Sequence, residues 1–338
     1  KENLYFDLYQ GEELLQTYSY SQFISGSGYY AGDSHNHSWQ SDGRGNFFDN
    51  FSVAVDRNLS WIHTADHVTQ GRNHWGVDVT TRTELDWAVQ QLNTAGFIAL
   101  KSAELSYDDG TYENHSISYR TTQTFLAPTD VYNYPSVYDA IKADGGFVYL
   151  AHPFWSFYQH PQLQGNPKNI DALTNFQGIE ILNRGCIREY NGTTFKGSNE
   201  TFLAVEYWDR MNIKGAQQYF ANGNSDAHRP EDIGTVVNKV LLEDLTQENV
   251  YEALEQGRFY TTNGPDVRFS IDGANMGEQI EARGTATISV QANDQQFPMT
   301  KVVLYRYDIN ADDNDAAYDN REEIALFEDA DGSTKTYS

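Results

Sequence analysis

The chain has 338 residues, with 23 Lys and Arg against 48 Asp and Glu, for a formal net charge of −25. That balance argues against nucleic-acid or anionic-membrane partners, which need a basic face, and no apolar run approaches the ~20 residues of a membrane helix. A chain this long can bury about three quarters of its unfolded-state surface without staples; its single cysteine, Cys186, cannot form an intrachain disulfide and leaves the redox compartment open.

Residues 1–28 read as an N-terminal extension. From residue 29 to residue 265, short apolar or β-branched runs alternate with helical stretches. Strand candidates are Tyr29 to Ala31, Leu59 to Ile62, Phe97 to Leu100, Phe147 to Leu150, Gly178 to Leu182 and Tyr219 to Ala221. Helix candidates are Thr83 to Asn93, Ser136 to Ala143 and Gln247 to Glu255, the last with Thr246 as its cap. Such alternation predicts an α/β domain with a parallel sheet or barrel. After Asn263-Gly264-Pro265 the pattern changes to half-buried strands at Asp266 to Ile271, Thr285 to Ala292 and Lys301 to Tyr307. Residues 266–338 are therefore expected to form a small sandwich-like all-β appendage. Asn310 to Arg321 holds an Asp-Asp-Asn-Asp run but lacks EF-hand spacing, and reads as a solvated loop. The chain is expected to continue beyond both given ends. Its β appendage and lack of an initiator Met slightly favour export over a cytoplasmic location.

The chemistry-bearing residues recur at one kind of place. His35 and His37 follow the first strand at a spacing that puts both rings on one side of an extended chain. Asp42, then Asp66-His67, Glu104, His115, His152, and finally Asp226 with His228 stand at or near the ends of apolar runs. In a closed parallel barrel such ends converge on one face. Six imidazoles and three carboxylates without a thiolate suit Zn, Mn or Fe. His74 and His160 read as ordinary surface or core histidines. The aromatic segment from Trp155 to Asp171 and the segment from Tyr107 to Asn114 are expected to be pocket loops.

These segments resemble the PHP (polymerase and histidinol phosphatase) superfamily. Gly32 to Gly43 is similar to its opening His-x-His…Ser-Asp-Gly motif, and Thr64-Ala65-Asp66-His67 to its Thr-Asp-His motif, with Ala65 where the family has Thr. Ala103-Glu104-Leu105, His115, Ala151-His152-Pro153 and Ser225-Asp226-Ala227-His228 match the later motifs in order, and Glu180 with Asn183 its Glu-x-x-Asn segment. The run Glu255 to Pro265 resembles the end of the CehA/McbA-like branch, named for carbaryl hydrolase. The resemblance covers roughly residues 29 to 265. It implies a distorted (β/α)7 barrel holding two or three divalent metal ions. One ion would take His35, His37, Glu104 and Asp226. A second would share Glu104 and add His115 and His152, and a third would use Asp42, His67 and His228.

Two metals about 3.5–4 Å apart bring a shared water to a near-neutral pKa, so no Ser or Cys nucleophile is required. The first expectation is a phosphoesterase acting on a small-molecule phosphate mono- or diester through a metal-bridging hydroxide. The alternatives are a carboxylic or carbamate ester hydrolase and, in another class, an inactive barrel whose β appendage binds a partner. Arg44, Arg184 and Arg229 each lie beside a ligand segment and are candidate phosphate contacts. Asp66 and His63 are the candidate catalytic groups; for His63, a general acid, a residue supporting the ligands and a buried structural histidine are all open.

Overall fold

The computed structural model describes residues 2–10, 13–22, 27–68, 83–93, 97–108, 113–128, 133–153, 173–183, 187–190, 195–197, 199–214, 217–281, 284–294, 301–306, 322–328 and 335–337. Near the start, β1 (Glu2–Gln10) and β2 (Glu13–Gln22) pair as an antiparallel ribbon.

The main sheet is built from β3 (Gly28–Asp33), β4 (Trp61–Thr64), β5 (His67–Val68), β6 (Ile98–Asp108), β7 (Glu113–Tyr119), β8 (Phe147–Leu150), β9 (Gly178–Asn183), β12 (Phe220–Asn224), β13 (Val237–Leu242) and β14 (Phe259–Thr262). Its order is β12-β9-β8-β7-β6-β4-β3-β13-β14, with β5 beside β6. The two ends of this path approach each other. Gly223 N–H in β12 donates to Asn238 Oδ1 in β13 at 3.1 Å, and a Cβ at Gly223 would lie 2.1 Å from Thr261 Oγ1 in β14. The sheet is thus a nearly closed barrel.

Five α-helices occur among the described residues: α1 (Phe47–Asp56), α2 (Thr83–Asn93), α3 (Tyr134–Ala143), α4 (Asn199–Lys214) and α5 (Gln247–Glu255). None of them is long and apolar enough to cross a membrane. A regular β/α alternation is not what is seen. β7 runs antiparallel to both β6 and β8, and β13 antiparallel to both β3 and β14. Of the segment expected to be a loop at Tyr107 to Asn114, the described residues end a long antiparallel pair, with Tyr107 opposite Asn114 and Asp108 opposite Glu113.

Strand alternation sorts side chains between the barrel interior and the helix layer. Ile98 and Leu100 of β6 pack inward with Trp61, Tyr119, Phe147, Tyr149 and Phe259. Ala103 and Leu105 turn outward onto Tyr134 and Tyr138 of α3. In β7, His115, Ile117 and Tyr119 share the inner face while Ser116 and Ser118 face out, and Ser116 Oγ meets the Tyr138 hydroxyl. Val250, Tyr251 and Leu254 of α5 join the interior cluster. Tyr149 donates its hydroxyl proton to Leu254 O at 2.7 Å, and Tyr251 to Lys101 O at 3.2 Å. Helix α5, capped by Thr246 Oγ1 accepting from Asn249 N at 3.1 Å, therefore plugs the barrel near the starts of β6 and β8. The opposite end is left for polar residues.

Between β9 and β12 lie β10 (Ile187–Tyr190) and β11 (Phe195–Gly197), an antiparallel pair. After β14 the described elements are all strands: β15 (Asp266–Ile271), β16 (Ala274–Asn275), β17 (Ile288–Asn293), β18 (Val302–Arg306), β19 (Glu322–Phe327) and β20 (Lys335–Tyr337). They form a four-stranded sheet, β16-β15-β17-β20, and the pair β18-β19. Lys239 pairs with Asp266, and the Arg268 guanidinium lies 4.4 Å from the Tyr29 ring centroid. The Asn310 to Arg321 segment lies outside the described residues.

Close strand approach makes one prediction. A Cβ at Gly178 would sit 2.1 Å from Phe220 O and 2.6 Å from Tyr149 Cε1, and backbone on the neighbouring strand cannot yield. Gly178→Ala should destabilise by about 1–3 kcal/mol, read as a lower urea midpoint. Gly28→Ala, where nothing lies within 4 Å, should stay within about 0.5 kcal/mol.

Candidate metal centre

Each candidate ligand reaches the open end of the barrel by a local device. Asp33, the last residue of β3, is buried and accepts from the backbone N–H groups of His35 (3.3 Å), Ser225 (3.2 Å) and Gly234 (3.0 Å). It fastens the loop after β3 to the loop after β12. The two loops then run together, with Asp226 N–H donating to His35 O at 2.9 Å and His37 N–H to Ala227 O at 2.8 Å. Helix α1 holds the following turn. Its cap Asn46 accepts from Phe48 N and Asp49 N at 2.8 and 2.9 Å, Asp49 Oδ2 accepts in return from Asn46 N, and Asn50 Nδ2 donates to His37 O at 3.0 Å. Gly43 is required here, since a Cβ would meet His37 O at 2.4 Å.

The strands set the remaining positions. β5 pairs His67 directly with Glu104 of β6. On the other side of β6, Glu104 is opposite Ile117, so His115 of β7 is its diagonal neighbour. His152 follows β8.

Glu104 is fully buried, and its two oxygens face different partners. Oε1 lies 2.8 Å from His115 Nδ1 and 3.2 Å from His152 Nε2. Oε2 lies 3.4 Å from His35 Nε2 and His37 Nε2 and 2.8 Å from His67 Nδ1. Asp226 Oδ1 lies 3.2 Å from His35 Nε2 and 3.0 Å from His37 Nε2. At the outer edge, Asp42 Oδ2 is 3.1 Å from His228 Nε2 and Asp42 Oδ1 3.6 Å from His67 Nε2. All nine expected ligands are brought together, in four overlapping groups whose ligand atoms lie within 4.8 Å of one another. These are His37, Asp42, His67 and His228; His35, Glu104 and His152; His35, His37 and Asp226; and His67, Glu104 and His115. The sharing is broader than three separate sets: His35, His37, His67 and Glu104 each belong to two groups.

The electrostatics follow from burial among opposite charges. Burial alone would raise Glu104, but His67, His115 and His35 hold it well below the usual carboxylate range. Asp226 is likewise held well below it, against burial, by His35, His37 and His228. His152 and His228 are raised to about 9 despite burial by the carboxylates beside them, whereas burial pushes His67 down to about 4. Imidazole nitrogens and carboxylate oxygens converging on one small volume, without a thiolate, are a donor set that fits divalent cations. Uptake of an ion would displace the protons held there. Two members carry backbone strain, His152 at φ 25° and Asp226 at φ 49°.

The other expected site residues lie elsewhere. Asp66 turns its carboxylate to the loop after His37, accepting from Ser38 N, Ser38 Oγ and Ser41 Oγ, each at 2.7 Å. His63 points into the barrel below the cluster, boxed by Trp61, Tyr119 and Tyr251 at ring-centroid distances of 5.5, 5.0 and 5.4 Å. Among the described residues neither of its ring nitrogens has a hydrogen-bond partner. Arg44 and Arg229 are exposed at the rim; Arg44 N–H donates to His228 O at 2.9 Å. Arg184, Cys186, His74, His160 and the Trp155 to Asp171 segment lie outside the described residues. Glu180, inward-facing in β9 and 2% exposed, was not among the expected site residues, although it touches His35 at 3.3 Å. Its signal was the Glu-x-x-Asn segment it forms with Asn183, at an inward position of an apolar strand.

A family model described as PHP-associated matches residues 203–259, the segment from α4 through β13 and α5 that carries Asp226 and His228. No curated protein matches the chain. Among solved structures, the fold is similar to a two-domain protein containing a predicted PHP-like metal-dependent phosphoesterase from Bacteroides vulgatus. That match has TM-score 0.50 and 15% identity, over 93% of this chain and 86% of that one. PsfC from Pseudomonas syringae matches at TM-score 0.47 and 13% identity, over 69% of this chain and 91% of its own. The lesion-specific endonuclease EndoQ from Pyrococcus furiosus matches at 0.44 and 14%, over 69% and 58% respectively. The family model covers the later part of the barrel, and the Bacteroides vulgatus match shows a likeness of fold.

The aromatic box predicts an acid-sensitive core. Burial pushes His63 from 6.5 down to about 3. The unfolded chain therefore takes up a proton below about pH 6.5 that the folded chain refuses until about pH 3. Stability accordingly falls with pH through that window, by about 1.4 kcal/mol per pH unit. His63→Phe should reduce the stability lost between pH 6.5 and about pH 4.5 by about 2–3 kcal/mol. Urea denaturation at the two pH values measures it, and an unchanged pH dependence would refute the assignment.

Proposed function

We propose that the chain is a metal-dependent phosphoesterase that hydrolyses a small-molecule phosphate mono- or diester, using two or three divalent ions drawn from Zn, Mn and Fe. The observation that carries the reading is the buried Glu104 carboxylate, with Oε1 toward His115 and His152 and Oε2 toward His35, His37 and His67. One carboxylate oxygen for each of two imidazole groups is the arrangement a bridging ligand needs. Bound divalent ions supply a water acidic enough to attack near pH 7 and stabilise negative charge on the phosphoryl oxygens.

The chain's own residues do the rest. His35, His37, Glu104, His115, His152 and Asp226 form the buried side of the centre, which excludes bulk water. Asp42 and His228 form its open side, with the His228 side chain 42% exposed. A substrate entering there would meet Arg44 and Arg229, whose guanidinium groups suit phosphate oxygens; Arg184 follows the Glu180 to Asn183 segment and is proposed for the same role. Asp66 acts on the loop that carries His37 and Asp42, and so supports catalysis by placement. Placement within the CehA/McbA-like branch rests on the resemblance of Glu255 to Pro265, which closes the barrel through β14. The PHP-associated match and the phosphoesterase named in the Bacteroides vulgatus structure support the same chemistry.

The test compares nitrophenyl phosphate mono- and diesters with nitrophenyl acetate, on Mn- and Zn-loaded protein. Phosphoester turnover is expected to vanish with chelator, return with metal, and fall roughly 100-fold or more in the His35→Ala/Asp226→Ala double variant. Acetate turnover alone would replace the phosphoesterase with a carboxylic or carbamate ester hydrolase. Arg44→Gln and Arg229→Gln should each raise KM for the phosphoester by roughly 10-fold and leave acetate turnover unchanged. An equal effect on both substrates would remove these arginines from phosphate recognition.

A further inference from the structure

We propose that Glu180 is a positioning residue that sets the tautomer of His35 and clamps the two strained members of the metal centre; this rests on the metal-binding part of the proposed function and not on the reaction. The inference begins with an excess of donors. His35 Nδ1 at 3.3 Å and Asn224 Nδ2 at 2.9 Å converge on Glu180 Oε1. His152 N at 2.8 Å and Asn183 Nδ2 at 3.0 Å converge on Oε2. Three of these four partners are N–H donors, so the carboxylate is engaged chiefly as an acceptor.

The donors cannot simply turn around. Asn224 Oδ1 already accepts from Ser34 N at 2.9 Å, Ser34 Oγ at 2.5 Å and Asn238 Nδ2 at 2.9 Å. Its amide nitrogen must therefore face Glu180, and Oε1 stays an acceptor toward His35 as well. His35 then carries its proton on Nδ1. That leaves the Nε2 lone pair directed at the volume shared with Glu104 Oε2, Asp226 Oδ1 and His37 Nε2, at 3.4, 3.2 and 3.2 Å. An acceptor behind a ligating imidazole is the usual way its tautomer is fixed.

The same carboxylate reaches both left-handed residues. It binds His152 directly through the backbone N–H. It reaches Asp226 through Asn183, whose Nδ2 also lies 3.3 Å from Asp226 Oδ2. Backbone in this region costs about 1–3 kcal/mol per residue unless its surroundings hold it. Glu180 thus links the loops after β3, β8 and β12 from a rigid strand.

Glu180→Gln keeps the shape but places an NH2 group against two donors. It should weaken zinc binding, measured by competition with a chromophoric chelator, by roughly 10–100-fold. Leu92→Ala in α2 is the control for general destabilisation. Zinc affinity of Glu180→Gln no weaker than that of this control would overturn the proposal. NMR of the imidazole nitrogens in zinc-loaded wild-type protein gives a reading that needs no variant: His35 protonated on Nδ1 is expected, and His35 protonated on Nε2 would overturn it. Wild-type protein that takes up zinc without hydrolysing any ester would sink the proposed reaction and leave this assignment intact. No zinc uptake at all would sink both.

Discussion

A carboxylate removed from water sets the terms for the open end of this barrel. Glu104 is fully buried, and an isolated ionised carboxylate there would cost more than the fold can supply. It persists as an anion because strand geometry brings positive or polarisable neighbours to it from several directions. The parallel partner β5 places His67 directly beside it, the antiparallel partner β7 places His115 on the diagonal, and loops after β3 and β8 deliver His35, His37 and His152. The reversed direction of β7 has a clear consequence. It supplies a ligand from mid-strand, where β3, β8 and β12 supply theirs from the loops that follow them.

The interior is graded along its axis to make this possible. At the plugged end, Trp61, Leu100, Tyr149 and Phe259 meet α5 as an apolar layer. At the open end the charges gather. Between them lies a layer of neutral polar side chains, Ser34, Asn224 and Asn238, bonded to one another and to Glu180. Such a layer lets acceptors at the top find donors below without bringing water in. Tyr119 spans the two regimes, its ring in the apolar cluster and its hydroxyl donating to Ser34 O at 3.2 Å. His63 is the residue that does not fit this gradation, a polar ring held in the apolar layer.

Much of the site was legible because its residues sit where strands end, and strand ends are marked by sharp changes of composition. The His35/His37 spacing and the Thr246 cap translate directly into geometry. Direction was harder to read. Asp66 and His67 are adjacent, yet one binds the serines of a loop and the other faces Glu104, because neighbouring residues of an extended segment point opposite ways. β7 was hidden for a related reason. Its outer face is Ser116 and Ser118, small enough to seat Tyr138, so the strand is buried on both faces without a continuous apolar run. Glu180 has one local partner, Asn183 three residues on in the same strand, but His35, His152 and Asn224 reach it from three other segments, and no local pattern encodes that convergence.

The distribution of exposure also determines which charges act at the mouth of the centre. Most of the centre is sealed: His35 and Glu104 are fully buried and Asp226 nearly so. The opening lies at Asp42 and His228, whose side chains are 17% and 42% exposed. Arg229 directly follows His228, and Arg44 is tied to it by a backbone bond. Mobile ions screen surface charges that lie further from that opening than about a Debye length, ~8 Å at physiological salt. The overall charge of −25 is therefore largely screened there, and the nearby groups Asp42, His228, Arg44 and Arg229 set the local field.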